Sequence, residues 1–377
     1  MFFSGYAIAG AVNPNGGVGA RSKGLGGAGT AIANDASCFY YNPALLSSSG
    51  DFAQMGMDYI YASIKYKDPD GKEYKSDAGK YFVPLFGVNY KLNEKVNFGL
   101  GIVTPYCFGS DFKQRLDMFS KLSLTEIAPA VSYKITDRFI LGASVKLGLG
   151  KIELSQPVYA GNMKIGALDS EADGHGYSFQ IGALWQPNDW LNLGASYQSK
   201  TRIELEGGAD LVSPLLGNLS NNFSAVFYFP ARYNVGVGIK TGKFLIAADV
   251  VRFDYSATDH IDVNYEQWQD EKLALNWKSN TYYALGVEYS VNNAIKLRGG
   301  GAYQKAVIPD STVNPATPDM DGWLVGCGIG WQGNNFGVDI SYLHCWGNKR
   351  EIAAPNQGAG EYKAAVDIVS VAVIYRF

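Results

Sequence analysis

The stretch "NNFGVDISYLHCW", Asn334 to Trp346, alternates large apolar residues with small or polar ones. The even positions hold the apolar residues Phe336, Val338, Ile340 and Tyr342. Gly, Asp and Ser hold the odd positions between them. Because successive side chains of a β-strand point to opposite faces, this period of two predicts a strand. One apolar and aromatic face opposite one small, polar face is typical of a strand between lipid and a polar lumen.

Segments with the same alternation recur from Asp51 to the end of the chain, for example "WLNLGASYQS" (190–199) and "YNVGVGIK" (233–240). We predict fourteen strands, at residues 51–66, 80–92, 95–105, 122–134, 137–154, 173–187, 189–206, 225–240, 243–257, 272–290, 293–306, 320–332, 334–347 and 361–377. Tight turns alternate with longer connections, which indicates short periplasmic turns and long extracellular loops. The prediction is an all-β membrane protein whose residues 51–377 form a 14-stranded antiparallel transmembrane β-barrel. A soluble all-β sandwich with exposed aromatic residues is the alternative.

Composition narrows the class of protein further. The 377 residues include 18% charged residues, 45 Gly and 25 Tyr, an unusual balance for a soluble enzyme. The net charge is −3 with both signs interspersed, so we predict no nucleic-acid partner. No apolar run reaches the roughly 18 residues that a helical span needs. The four cysteines lack metal-ligand spacing, and we predict neither a metal nor a cofactor.

The two ends of the chain carry targeting information. The opening "MFFSGYAIAGA" (1–11) has no basic region, so we interpret it as at most the remnant of a cleaved signal peptide on an essentially mature chain. The last strand, "VDIVSVAVIYRF" (366–377), ends on Phe377 and looks like the signal that the barrel-assembly machinery recognises. We therefore expect localisation in the bacterial outer membrane, with its lipid, lipopolysaccharide and assembly machinery as partners. We expect a monomer.

The stretch "KGLGGAGTAIANDA" (23–36) raises a different possibility, dinucleotide binding. Gly24, Gly26 and Gly29 satisfy G-x-G-x-x-G, but that motif binds a dinucleotide only after a buried parallel strand. The preceding "AVNPNGGVGARS" (11–22) cannot form such a strand. We instead predict a side-chain-poor backbone that threads a crowded lumen.

Residues 1–50 resemble the amino-terminal hatch of the FadL/TodX/OMPP1 family of outer-membrane transporters for hydrophobic compounds. The resemblance rests on the Gly-rich stretch, Asp35-Ala36 and Asn42-Pro43-Ala44. Two further blocks are similar to the family, at 295–331 and at 103–112, although Cys107 and Phe108 interrupt the family spacing in the second. The resemblance implies a barrel plugged by a small, partly helical hatch. It also implies passive uptake of long-chain fatty acids or aromatic hydrocarbons through loop capture, an internal apolar site and lateral exit through the wall.

The sequence offers three sets of candidate site residues: hatch residues, inward-facing charges and residues of a lateral opening. Hatch residues that line a ligand pocket, or simply pack the hatch against the wall, are Phe39, Tyr40, Tyr41, Asn42, Pro43 and Ala44. Inward-facing charges, most of them expected to pair with each other, are Lys146, Asp249, Glu288, Arg298, Asp339 and Asp367. Lys146 and Arg298 are the candidate partners for a ligand carboxylate. Gly99, Gly101 and Pro105 are candidates for a lateral opening, because Gly and Pro weaken strand pairing.

Other functions receive less support from the sequence. The three histidines lack any nucleophile motif, so we predict no enzyme activity. "DPDGKE" (68–73) spaces carboxylates like a shortened calcium loop, but turn chemistry alone explains it. A nonspecific porin is disfavoured by the hatch. The alternative function is a FadL-like barrel that acts as a protein-interaction shuttle in secretion.

Overall fold

The computed structural model describes residues 16–77, 79–161, 163–356 and 358–377. The proposed signal remnant and the first part of the predicted hatch lie outside these residues. The helices are α1 (Ala20–Gly24), α2 (Cys38–Tyr41), a 3₁₀ turn (Pro43–Leu45), α3 (Leu46–Ser49) and α4 (Lys113–Leu116). Among the described residues, no helix is long and apolar enough to cross a membrane.

Twenty strand segments follow the hatch. They are β1 (Phe52–Lys67), β2 (Glu73–Lys75), β3 (Lys80–Lys91), β4 (Val96–Phe112), β5 (Met118–Thr136), β6 (Phe139–Ala160), β7 (Met163–Asn188), β8 (Leu191–Gln198), β9 (Thr201–Ser213), β10 (Gly217–Phe229), β11 (Ala231–Thr241), β12 (Phe244–Asp254), β13 (His260–Tyr265), β14 (Glu271–Ala274), β15 (Asn280–Ser290), β16 (Ile295–Gln304), β17 (Gly322–Gln332), β18 (Phe336–Gly347), β19 (Arg350–Ile352) and β20 (Gly360–Arg376).

These segments form one closed antiparallel barrel. Strand β1 pairs with β3 on one side and with the last strand, β20, on the other, so the sheet closes on itself. Four passes through the wall consist of two segments each, namely β8–β9, β10–β11, β12–β13 and β14–β15, and β2 and β19 only extend loops. The wall therefore has fourteen passes, which confirms the predicted barrel.

Two hairpins extend well beyond the predicted strands. Strands β6 and β7 have 22 and 26 residues and stay paired as far as Ala160 and Met163. Strands β9 and β10 stay paired as far as their own turn. A small apolar cluster packs the extensions together and includes Val158, Ile165, Leu168, Ala209 and Leu211. The prediction that residues 155–172 and 207–224 are loops is therefore wrong: most of them lie in strands, because these segments bury their own apolar contacts.

The inner face of the wall changes character along the barrel axis. Around the hatch it carries buried polar residues, including Gln54, Asn89, Ser132, Gln180, Asn234 and Asp249. Toward the end with the longer loops it carries buried apolar residues, including Phe108, Leu122, Leu154, Ile203, Leu205 and Phe227. The expected polar inner face is thus correct only at the level of the hatch. Above the hatch, the strands bury an apolar inner face as well.

The hatch lies against inward-facing glycines of the wall. A Cβ atom added at any of these glycines would come too close to a hatch atom: Gly87, Gly99, Gly101, Gly142, Gly182, Gly194, Gly236, Gly238, Gly286, Gly300 and Gly326. At Gly99 that Cβ would be 2.8 Å from the Phe39 ring, and at Gly101 it would overlap the ring. Glycine on the wall therefore lets hatch and wall approach more closely than any other residue would permit.

We predict that Gly101→Leu unseats the hatch, because a side chain there would overlap the fully buried Phe39 ring and overpacking of this kind costs about 1–3 kcal/mol. Cys38 reports the change. Its thiol is fully buried, and this burial, with the nearby Asp35 charge, raises its pKa to about 12. In a variant whose other three cysteines are serine, maleimide should label Cys38 only after Gly101→Leu.

The matched control is Gly299→Leu, because a Cβ at Gly299 meets nothing within 4 Å. Heat-modifiable electrophoretic migration would establish that both variants form barrels. Equal protection of Cys38 in both variants would contradict the close fit between Gly101 and Phe39.

Candidate functional site

The Asn42-Pro43-Ala44 motif fixes the end of the hatch against the wall. The Asn42 side-chain oxygen accepts a hydrogen bond from Ala44 N at 3.0 Å, which caps the 3₁₀ turn that Pro43 begins. The Asn42 amide nitrogen donates to Thr30 O at 3.1 Å and to Ala183 O, on the wall, at 2.9 Å. One side chain thus joins two parts of the hatch and strand β7. This geometry explains why an Asn precedes the Pro.

The glycine-rich stretch binds an anion, and that anion is a side chain of the wall. Gly29 N and Thr30 N donate to the Asp249 carboxylate at 2.8 and 2.9 Å, and the Thr30 hydroxyl donates to it at 2.7 Å. Backbone amides that point into one concavity favour negative charge. The stretch that contains the G-x-G-x-x-G motif therefore binds a carboxylate of the protein itself, and this contact attaches the hatch to β12.

A second ionic cluster lies beside the hatch at the end of the barrel with the tight turns. Glu288 pairs with hatch residue Arg21 at 3.0 Å and with Arg298 at 2.7 Å. Arg298 also pairs with Asp339. Arg298, one of the two predicted carboxylate partners, is thus shared between two carboxylates of the wall. Hatch residue Lys23 pairs separately with Asp58, at 2.7 Å.

A third polar cluster separates the hatch from the apolar part of the lumen. Lys146 Nζ donates to Glu126 at 2.9 Å and to Gln198 Oε1 at 3.0 Å, and the Gln198 amide donates to Glu126 at 2.6 Å. Arg232 donates to Gln198 Oε1 at 2.9 Å and to the Tyr40 carbonyl, with its guanidinium 3.5 Å from the centre of the Tyr40 ring. All of these side chains are buried. The cluster therefore contains two cations and one carboxylate.

Arg232 and Glu126 are the site residues that sequence reasoning missed. Both belong to strands in which they interrupt an otherwise apolar or small inner face, and this interruption is the only available signal. Within the part of the chain that the structure describes, Arg232 Nε has no hydrogen-bond partner. Asp367 was expected to face the lumen, and this expectation is wrong. It faces outward on β20 and accepts hydrogen bonds from Tyr342 and His344, at 2.5 and 2.7 Å.

The three aromatic residues of the hatch are buried in its contacts with the wall. Phe39 packs against the strand containing Gly99 and Gly101, and Tyr40 lies under the Arg232 guanidinium. Tyr41 packs edge-on against Tyr40, with ring centres 4.8 Å apart. In this structure all three therefore take part in packing, which is one of the two roles that the sequence left open.

Apolar side chains fill the lumen above the third cluster. Rings from opposite parts of the wall meet there, such as Tyr106 and Phe229, whose centres are 5.1 Å apart. A cavity of 30 Å³ remains between the extended hairpins, lined largely by Ile152, Leu154, Leu205, Phe223, Ile261, Val263 and Leu273. Transfer of an apolar solute from water to such surroundings is favourable by about 25 cal/mol per Å² of buried surface.

One interrupted ladder of the wall lies between β3 and β4. The two strands pair from Lys91↔Asn97 up to Phe86↔Ile102, and no pairing continues beyond that rung although both strands do. Strand β4 also has a bulge against β5 between Val103 and Tyr106. The bulge contains Pro105, which has no amide hydrogen to donate. Gly99 and Gly101 lie in the paired part, below the interruption.

A strap formed by residues 306–321, between β16 and β17, covers the lumen above the apolar residues. The hydroxyls of Ser110 and Ser120 donate to the Ala316 carbonyl, and Ser110 also donates to Pro315 O. Buried Asp319 accepts hydrogen bonds from Val307 N and Ile308 N. The strap is thereby attached to the part of β4 that lies beyond the bulge.

The Asp68–Glu73 segment forms the turn that its sequence favours. Asp68 accepts a hydrogen bond from Lys72 N at 2.8 Å, and Lys72 O accepts one from Asp68 N at 3.0 Å. In the described residues, no group of three or more His, Cys, Asp or Glu is arranged to hold a metal ion.

A closed fourteen-stranded barrel with aromatic residues on its outer face and a hatch inside defines a plugged outer-membrane channel. The family model described as outer membrane protein transport protein (OMPP1/FadL/TodX) matches residues 1–377, and the chain belongs to this family. The protein is therefore an outer-membrane transporter channel for hydrophobic compounds, not an enzyme.

Individual relatives are distant in sequence. The 47 kDa outer membrane protein of Pasteurella multocida is 24% identical, over 92% of this chain and 89% of its own. Outer membrane protein P1 of Haemophilus influenzae is 23% identical, over 85% of this chain and 82% of its own. The crystal structure of a Pseudomonas aeruginosa FadL homologue has a TM-score of 0.85 at 20% identity, covering 97% of this chain and all of that one. The crystal structure of the Pseudomonas putida toluene transporter TodX has a TM-score of 0.80 at 19% identity, covering 96% of this chain and 99% of that one.

We predict that Asp249→Ala loosens the hatch, because it leaves two amides and one hydroxyl buried without their acceptor. Each such group costs about 1–3 kcal/mol. Purified Asp249→Ala channels in planar bilayers should show larger ionic conductance than the wild type. Asp262→Ala, which removes an exposed carboxylate from β13, should not. Unchanged conductance of the Asp249 variant would mean that Asp249 does not hold the hatch.

Proposed function

We propose that the protein takes up hydrophobic small molecules from the extracellular side and releases them sideways into the outer membrane. The observation that carries this proposal is the interrupted ladder between β3 and β4, which lies beside the apolar part of the lumen. A molecule above the hatch would meet this interruption before it could pass the hatch. Sideways exit also avoids transfer of the apolar solute into periplasmic water.

The hatch supports exit through the wall rather than along the axis. It is attached to the wall through Asp249, through Asn42 and through the Arg21–Glu288 ion pair. Opening an axial path would break all three contacts and leave buried charges without partners, which is costly. A sideways path needs only movement of side chains and of the part of β4 that is not paired with β3.

The third polar cluster favours a ligand with an acid group, such as a long-chain fatty acid, over an aromatic hydrocarbon. Lys146 and Arg232 carry two positive charges, whereas Glu126 carries one negative charge. Both cations are buried directly beneath the apolar lumen. A ligand carboxylate at this level would balance the charge and accept a hydrogen bond from Arg232. Arg298 has two carboxylate partners already, so we assign the carboxylate role to Lys146 and Arg232 instead.

Closing the interruption should stop transport. Leu85→Cys with Val103→Cys places a disulfide at the rung that would follow Phe86↔Ile102, in a background with Cys107→Ala. We expect oxidation to reduce uptake of a radiolabelled fatty acid by cells severalfold, and reductant to restore it.

The matched control is the pair Val88→Cys and Leu100→Cys, which are already partners in the ladder. A disulfide there joins strands that do not separate, so oxidation should leave uptake unchanged. Full uptake by the oxidised Leu85/Val103 variant would exclude exit between β3 and β4.

Replacing Arg232 should weaken acid binding selectively. A hydrogen bond to a charged group contributes about 1.5–3 kcal/mol, so Arg232→Gln should weaken palmitate binding by about 10- to 150-fold. Binding of hexadecanol, which has no charge, should change little. Isothermal titration with both ligands measures the difference, and Arg298→Gln serves as the comparison variant. Equal losses for the two ligands would mean that Arg232 acts only on structure.

A further inference from the structure

An apolar groove lies on the outer surface of the barrel. It crosses β5, β6, β7, β8 and β11, has a volume of 710 Å³, and is bordered almost entirely by apolar atoms. Its floor consists of the outward-facing alanines Ala143, Ala183 and Ala195. The groove lies on the lipid-facing side of the wall, outside the lumen and away from the β3–β4 interruption.

The strand register explains why a depression forms there. Around the barrel, Ala183 pairs with Leu141 on one side and with Ala195 on the other, and Ala195 pairs with Val235. Two adjacent methyl groups are thus flanked by larger side chains within one row. In the next row up, Ile181 pairs with Ala143 on one side and with Tyr197 on the other, and Tyr197 pairs with Tyr233. Aromatic rings therefore close the upper end over β8 and β11, whereas Ala143 extends the floor over β6.

The inner side of the same wall segment carries the hatch. Gly142 faces Ala44 and Gly182 faces Asn42, each so closely that a Cβ would overlap the hatch. Only one strand's thickness separates the groove from the Asn42-Pro43-Ala44 motif. The hatch therefore supports the floor from within, and the groove cannot collapse inward.

Position in the bilayer restricts what can occupy the groove. Phe139 and Trp185 pair directly below it and begin the turns at the periplasmic end of β6 and β7. Aromatic residues at strand ends mark the membrane interface. The groove hence lies in the inner leaflet, where its surroundings are hydrocarbon chains and where water finds almost no polar partner.

The turns below the groove carry charges of both signs. Arg138 donates to Pro187 O, and its own carbonyl accepts a hydrogen bond from Gln186 N at 2.8 Å, so it sits beneath β6 and β7. Asp137 and Asp189 are exposed in the same two turns. A cation flanked by carboxylates complements a headgroup that has both a phosphate and an ammonium group.

We propose that this groove is a binding site for one inner-leaflet phospholipid with a zwitterionic phosphoethanolamine headgroup. One acyl chain lies over Ala143, Ala183 and Ala195. The phosphate contacts Arg138, and the ammonium group contacts Asp137 or Asp189. This site is separate from the transport route and does not rest on the proposed function.

Native mass spectrometry tests the proposal on the full chain in nanodiscs containing equal amounts of phosphatidylethanolamine and phosphatidylglycerol. We expect the wild type to retain one phosphatidylethanolamine during release from the disc. The double variant Ala183→Leu/Ala195→Leu should retain on the order of tenfold less, because leucine fills the space of the chain. Ala248→Leu, at an outward-facing alanine of β12, is the matched control and should retain the lipid.

Two further measurements separate the remaining outcomes. Arg138→Gln should lower retention of both lipids, whereas Asp137→Asn/Asp189→Asn should abolish only the preference for phosphatidylethanolamine. On the wild type, a phosphatidylethanolamine with a photoreactive acyl chain should crosslink to peptides of β6 to β8. Equal retention by wild type and double variant, crosslinks spread over the whole wall, or a dimer mass lost in the double variant would each overturn the proposal.

Discussion

The fit of the hatch into the barrel depends on wall positions that have no side chain. Strand ladders hold the wall at a fixed diameter, and the hatch backbone must pass within that diameter. Gly101, Gly142 and Gly182 provide the space, because any Cβ there would overlap a hatch atom. This constraint determines the rest of the lower lumen. Where wall and hatch backbones come so close, their polar groups must bond to each other, and Asn42 and Asp249 make those bonds.

The same constraint accounts for the division of the lumen into two parts. At hatch level the wall faces another polypeptide and needs polar partners for its backbone groups, so its inner face is polar. Above the hatch the wall faces only other wall strands, and apolar side chains such as Phe229 and Tyr106 meet across the lumen. Lys146, Glu126 and Arg232 occupy the boundary, where their charges can still reach each other and the Tyr40 carbonyl.

The sequence was sufficient to predict the barrel but not the arrangement of side chains in its lumen. A period of two over segments such as 334–346 predicts strands reliably, because lipid on one side forces large apolar residues onto that face. Periodicity does not reveal where strands continue above the membrane, so the β6–β7 extension was missed. Nor does it reveal which residues face inward beyond a bulge. In β4 the buried residues are odd-numbered up to Pro105 and even-numbered after it. Asp367 was misplaced for a different reason. It shares the odd positions of the outward-facing Val369 and Val371, but a charge was assumed to face inward, whereas Tyr342 and His344 bind it on the outer face.

Under the proposed sideways exit, the strap and the bulge link capture to release. The strap covers the lumen and is attached by Ser110 and Ser120 to β4 and β5 beyond the bulge. On that part of β4 the ladder to β3 is absent, so its position depends on β5, on the strap and on the hydrogen bonds that join Asp111 to Ser76 and Asp77. A ligand that displaces the strap from outside would remove one of these supports. The strand beside the interruption would then be held less firmly when a ligand occupies the lumen, and an empty channel would keep its wall closed.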